Sequence, residues 1–211
     1  RVMGESEHPR FLPEIVAAEL GPLNTGTGVR IEAHKTLGDN TRADIVFVPS
    51  LLIKSGKQFG RENAELVAWV RRAYQDGATI VSARTGSFLL AEAGLLEGKE
   101  ATTHWAFIDL MKSEYPGVRI LPDRVLVSAS ADNRIVTSGG ATSWSDLVLY
   151  LVGRYAGPEE ARRLAKMSLF DWHHDGQNPY SRLTTRPQSG DRLIQECQEW
   201  LASHYAAIDP V

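Results

Sequence analysis

The residues best placed to do chemistry lie in Ser82-Ala83-Arg84-Thr85-Gly86-Ser87, a sharp polar turn between an apolar run and a helix. A side chain at the centre of such a strand-to-helix turn is exposed, with the helix N–H groups behind it, and enzymes use this position to hold a nucleophile. Here the centre is Arg84. A guanidinium stays protonated at neutral pH and cannot attack a carbonyl, but it can hold an anion together with free N–H groups at the helix start. An internal ion pair between Arg84 and a carboxylate is an equal reading. Ser82 or Ser87 paired with His104 is a weaker one, because neither sits at the exposed centre and a serine at a helix start usually caps it.

His104, beside Trp105, reads either as a pocket wall or as a partly buried imidazole bonded to backbone. His173-His174-Asp175 has metal-binding residue types, yet adjacent histidines seldom converge on one ion, so no metal site is expected. Gly139-Gly140 permits close approach of a ligand or tight packing of helix on strand. The Gly/Thr stretch from Gly21 to Gly28 precedes a strand and not a helix, which makes it a turn and not a phosphate cradle.

These residues need a scaffold, and apolar periodicity supplies its outline. Strands are expected at 11–19, 29–35, 44–49 and 79–81, with a helix over 61–75 that buries Leu66, Val67, Val70, Ala73 and Tyr74 and ends at Gly77. Strand, helix and strand in succession imply a parallel βαβ unit. A helix over 105–115 stops at Pro116-Gly117. Extended segments follow at 118–121, 125–130 and 134–137, the last two joined through Ala131-Asp132-Asn133. A mostly apolar helix over 144–155 opens with Ser143 and Asp146 at capping-box spacing. Another helix runs from Gly157-Pro158 to about Phe170. Residues 171–190 read as a linker, and 191–205 as an amphipathic helix with Leu193, Ile194, Cys197, Trp200 and Leu201 on one stripe.

The 211 residues suffice for one α/β domain with a short appendage. A net charge of -3 gives none of the basic excess that binding a phosphate backbone requires, so DNA contact would have to come from elsewhere. One cysteine allows no intramolecular disulfide and fits a reducing cytoplasm. No apolar run reaches the roughly 20 residues of a membrane span, so a soluble, cytoplasmic chain is expected. Its ends read as cuts through a longer protein.

The run Ser82–Gly98 with Ala101-Thr102-Thr103-His104-Trp105 resembles the ThiJ/PfpI family of the class I glutamine-amidotransferase-like superfamily. More narrowly, it is similar to the sensor domains of AraC-family transcriptional regulators. Thr137-Ser138-Gly139-Gly140 leading into Ser143-Trp144-Ser145-Asp146-Leu147, and Trp172 to Tyr180, match later landmarks of that subgroup. The helix over 191–205 resembles the opening of an AraC-type DNA-binding region.

The resemblance implies a flavodoxin-like three-layer α/β sandwich with a mostly parallel central sheet, in a homodimeric bacterial regulator. It implies a regulatory domain over 1–183, and over 184–211 a linker with the first helix of a helix-turn-helix region whose DNA-reading helices lie further on. Family enzymes carry cysteine where this chain has Arg84, so family-type catalysis is expected to be absent. The Gly-Gly that many members use near the oxyanion site is replaced by Pro49-Ser50-Leu51-Leu52, and the family's first strand, with its acidic residue, has no counterpart before Phe11. The expectation is a catalytically inactive domain sensing an anionic small molecule through Arg84, Thr85, His104, Trp105, Gly140 and Trp144, with no cofactor. The rivals are an amidase or hydratase using a serine or activated water, and a domain that only dimerises.

Overall fold

The computed structural model describes residues 10–39, 42–140 and 142–170, together with the helical positions 193, 194, 196, 197 and 200. The first part is built from short strands: β1 (Val16–Ala17), β2 (Gly21–Asn24), β3 (Arg30–Ala33) and β4 (Lys35–Thr36). β5 (Ile45–Val48), α1 (Gly56–Glu62), α2 (Ala64–Gln75) and β6 (Thr79–Ala83) form the βαβ unit, with β5 and β6 parallel. A 3₁₀ turn (Arg84–Gly86) then leads into α3 (Ser87–Glu92). β7 (Glu100–Ala101), a second 3₁₀ turn (Trp105–Phe107), α4 (Ile108–Glu114) and β8 (Arg119–Ile120) follow. β9 (Leu126–Ser128), β10 (Ile135–Ser138), α5 (Ser143–Ala156) and α6 (Pro158–Ser168) complete the described fold.

The central sheet has the order β5-β6-β10-β9. β10 runs parallel to β6, and β9 is antiparallel to β10. Because side chains alternate across a strand, each central strand feeds two apolar layers. Val46, Val48, Ile80 and Ile135 pack with Val67, Val70, Leu89, Leu90 and Met111 of the α1 to α4 layer. Val81, Ala83 and Val136 pack with Leu147 and Leu151 of α5. The result is the expected three-layer α/β sandwich with a mostly parallel sheet. Among the described residues no strand pairs with the outer edge of β5.

Several expected elements are corrected. The strand over 11–19 shrinks to β1, which pairs parallel with β4, and the segment over 29–35 divides into β3 and β4. The stretch after Gly21 is a hairpin arm and not only a turn: β2 pairs antiparallel with β3, from Gly21 opposite Ala33 to Asn24 opposite Arg30.

The helix expected over 61–75 is two helices that meet at Asn63, whose side-chain amide donates to Phe59 O at 2.9 Å. Ser55 caps the first, accepting from Gln58 N at 3.2 Å. The segment over 105–115 begins as a 3₁₀ turn, and Ser143 is the first residue of α5, with Thr142 and not Ser143 at its N-cap position. Gly77, at φ +103, ends α2 as expected.

The linker over 171–190, His173-His174-Asp175 and Leu201 lie outside the described residues. Of the C-terminal stripe, Leu193, Ile194, Cys197 and Trp200 are helical and exposed.

Candidate functional site

Parallel α/β sheets bind ligands outside the carboxyl ends of their strands. Here those ends bring three loops together: Pro49-Ser50-Leu51 after β5, Arg84 after β6, and Gly139-Gly140 after β10. The register sets the last two side by side, since Ser138 pairs with Ala83.

Arg84 sits at φ +53, in the left-handed region. For a residue with a Cβ this conformation costs about 1–2 kcal/mol and persists only where the surroundings enforce it. The surroundings are specific. Ser87 Oγ donates to Arg84 O at 3.0 Å and Thr103 Oγ1 donates to the same carbonyl at 3.2 Å. Thr85 Oγ1 donates to Leu51 O at 2.6 Å and accepts from Leu51 N at 2.9 Å, which ties the turn to the loop after β5. Gly86 completes the lock by allowing the backbone of Val48 and Pro49 to pass against it.

The Arg84 side chain has less to hold on to. Its Nε is buried without a hydrogen-bond partner, and none of the ion pairs among the described residues involves it. Of the two readings of Arg84, the internal ion pair is therefore not formed among the described residues. Ser82 Oγ and Ser138 Oγ are also buried without partners. All three lie near the carboxyl ends of β6 and β10, but the register pairs Ser138 with Ala83 and Ser82 with Thr137, so the two serine side chains point to opposite faces of the sheet, and Arg84 Nε is the orphan carried by the turn itself.

His104 is buried and caps the turn it begins, its Nδ1 accepting from Ala106 N at 3.2 Å. The ring lies against Trp105 at 4.8 Å and edge-on to Phe107 at 6.0 Å between centroids. Burial, and then the positive charge of Arg84, lower its pKa below the usual imidazole value, so the neutral form prevails near pH 7. With Nδ1 accepting, the proton of the neutral ring sits on Nε2. The site thus offers a guanidinium and an imidazole N–H, donors suited to an oxyanion.

Neither Ser82 nor Ser87 pairs with His104. Ser87 Oγ braces Arg84 O, and Ser82 Oγ has no partner at all.

Of the expected site residues, Arg84, Thr85, His104 and Trp105 belong to one cluster, and Gly140 borders it through the β6–β10 register. The Thr85 hydroxyl is committed to the Leu51 backbone and serves the turn. Trp144 is 45% exposed, and its ring contact is Phe170, edge-on at 5.5 Å. The orphaned Ser138 and the brace from Thr103 went unnoticed in the sequence; their adjacency to Gly139 and His104 was the available signal. A separate groove of about 300 Å³, lined by Trp69, Arg72 and Asp76 among others, includes no residue of the Arg84 turn.

Residues 10–154 match the model of the DJ-1/PfpI family. The HTH-type transcriptional regulator CdhR of Pseudomonas aeruginosa is 30% identical over 152 residues, covering 72% of this chain and 43% of that protein. The isonitrile hydratase of Pseudomonas putida is 32% identical over 158 residues, covering 73% of this chain and 64% of the enzyme. The chain therefore spans less than two thirds of either relative. A ThiJ/PfpI family protein from Pseudomonas syringae has the same fold, with a TM-score of 0.66 at 24% identity over 90% of this chain and 74% of that one.

Proposed function

The chain belongs to the DJ-1/PfpI family, and on that premise we propose that it is the effector-sensing part of a bacterial AraC-type transcriptional regulator, without catalysis of the family's nucleophilic kind. The observation that carries this reading is Arg84: a strained turn positions a buried, unpartnered guanidinium nitrogen where an attacking group would stand. The relatives named as HTH-type regulators support the regulatory half of the reading.

In this proposal residues 1–183 form the sensing domain and 184–211 lead into the helix-turn-helix region that reads DNA. The protein acts as a cytoplasmic homodimer. An anionic small molecule binds Arg84 and His104, with Trp105 and Gly140 beside them, and shifts the dimer or interdomain arrangement by no more than its differential affinity for the two states.

Calorimetric titration of carboxylates, amino-acid derivatives and phosphates into the wild type and Arg84→Ala tests it. Hydrogen bonds to charged groups contribute about 1.5–3 kcal/mol, so the variant is expected to lose at least about tenfold in affinity for the anion that binds. Binding unaffected by the substitution would remove Arg84 from the site.

The hydratase relative keeps a second reading in view. Turnover of isonitrile or amide substrates that disappears in His104→Ala would favour an enzyme using Ser82, Ser87 or activated water.

A further inference from the structure

We propose that His104 is the element that reports occupation of the Arg84 site: an anion on Arg84 lets His104 take up a proton, and the protonated ring releases its cap on the Trp105–Phe107 turn. The inference rests on the anion-binding reading above and adds how binding becomes a change of shape.

Burial is the largest influence that keeps His104 neutral in the unliganded site, and two interactions add to it. Nδ1 can accept from Ala106 N only while it is unprotonated, so protonation breaks that 3.2 Å bond. Among the described residues, the charge that opposes a second positive charge on the ring is that of the Arg84 guanidinium. The rings packed on it, Trp105 and Phe107, are uncharged.

A carboxylate bound to Arg84 removes the opposition and offers His104 Nε2–H an acceptor. The proton comes from solvent and goes to Nδ1, and the N–H of Ala106 then loses its partner. Trp105 makes the charged state accessible, since an imidazolium 4.8 Å from the indole gains a cation–π attraction.

The consequence is mechanical. The Trp105–Phe107 turn leads directly into α4, and Phe107 packs edge-on against Phe88 of α3 at 6.3 Å. Releasing the cap changes how this turn sits on α3, so the charge state of the site is passed to the α1 to α4 layer. His104 is in this sense a positioning residue with two states, and the anion biases the choice between them. Linkage fixes the sign: if anion binding raises proton affinity, protons raise anion affinity equally. Carboxylate binding tightens as pH falls.

The test is nuclear magnetic resonance of the wild-type protein titrated from about pH 8 to about pH 5.5, the range in which imidazole changes charge. Sodium benzoate or sodium acetate is compared with sodium chloride at equal ionic strength, and His104 signals are identified by their absence from His104→Asn. The expected result is a His104 midpoint moved to higher pH by the carboxylate, accompanied by faster hydrogen exchange at Ala106 N–H. Carboxylate affinity should rise by about fivefold or more across the titration, the scale of ordinary site coupling. In His104→Asn, whose Oδ1 stands where Nδ1 stood and can keep the cap but cannot titrate, the affinity should not vary with pH. Arg84-dependent binding with an unmoved His104 midpoint overturns this inference and leaves the sensing proposal standing. Failure of both carboxylates to bind in an Arg84-dependent way overturns both.

Discussion

Gly86→Ala is expected to destabilise the fold by about 3 kcal/mol or more, the upper range for forced overlap in a packed interior. A Cβ built at this position lies 2.6 Å from Pro49 O and 2.8 Å from Val48 O. Both obstacles are backbone atoms at the end of β5, so no rotamer change relieves the overlap. The turn or the strand must move. Moving either one strains the Thr85–Leu51 hydrogen bonds, and the position of Arg84 goes with them. For a chain of this size the loss corresponds to a drop of roughly 10 °C in melting temperature. Gly94→Ala is the control: its φ of +73 strains an alanine, but a Cβ there meets nothing within 4 Å. It should cost only about 1–2 kcal/mol. Thermal denaturation of the two variants separates steric overlap from simple loss of glycine, and equal effects would contradict the account.

Phe88→Ala is expected to cost about 3–5 kcal/mol, the usual range for emptying a buried phenylalanine site. Phe88 is fully buried and stands edge-on to Tyr115 at 5.9 Å and to Phe107 at 6.3 Å. Helix α1 comes so close over it that a Cβ at Gly56 would lie 2.5 Å from the ring. The loss joins stability to the site, because Phe107 also contacts His104. Denaturant unfolding measures the first effect. Hydrogen exchange at Ala106 N–H measures the second, and should quicken even under conditions where the variant remains folded. A loss below about 1 kcal/mol would show that Phe88 does not hold this layer together.

The strands that build the sheet's centre were legible because they are short continuous apolar runs: Ile45 to Val48, Thr79 to Val81 and Ile135 to Thr137 need no partner to be recognised. Gly77 and Pro158 marked helix boundaries for the same local reason. The elements that failed depend on distant residues. Helix α1 begins at Gly56 because Ser55 caps it and because Glu114, far along the chain, accepts from Ser55 Oγ and from Gly56 N at 2.7 Å. The Ser55 to Gln58 spacing was a readable capping signal, while the Glu114 contact was not. Strand β7 consists of two residues and exists through its pairing with β8, which composition does not encode, whereas β8 lies inside the extended segment expected at 118–121.

The site divides in the same way. Arg84 at the turn was visible in Ser82–Ser87, and the resemblance to a known family put His104 beside it. The commitment of Thr85 to Leu51, the edge-on contact of Trp144 with Phe170, and the unpartnered Ser138 are products of tertiary packing. They separate residues that hold the turn from residues free to meet a ligand.

The central claim is that Arg84 is an anion receptor and not one half of an internal ion pair. Its Nε–H resonance, identified by its absence from Arg84→Ala, reports this directly in isotope-labelled wild-type protein titrated with sodium benzoate. The account predicts a signal without the signature of a carboxylate bond in the free protein, shifting saturably as benzoate binds. A signal already carrying that signature and unmoved by benzoate would contradict it.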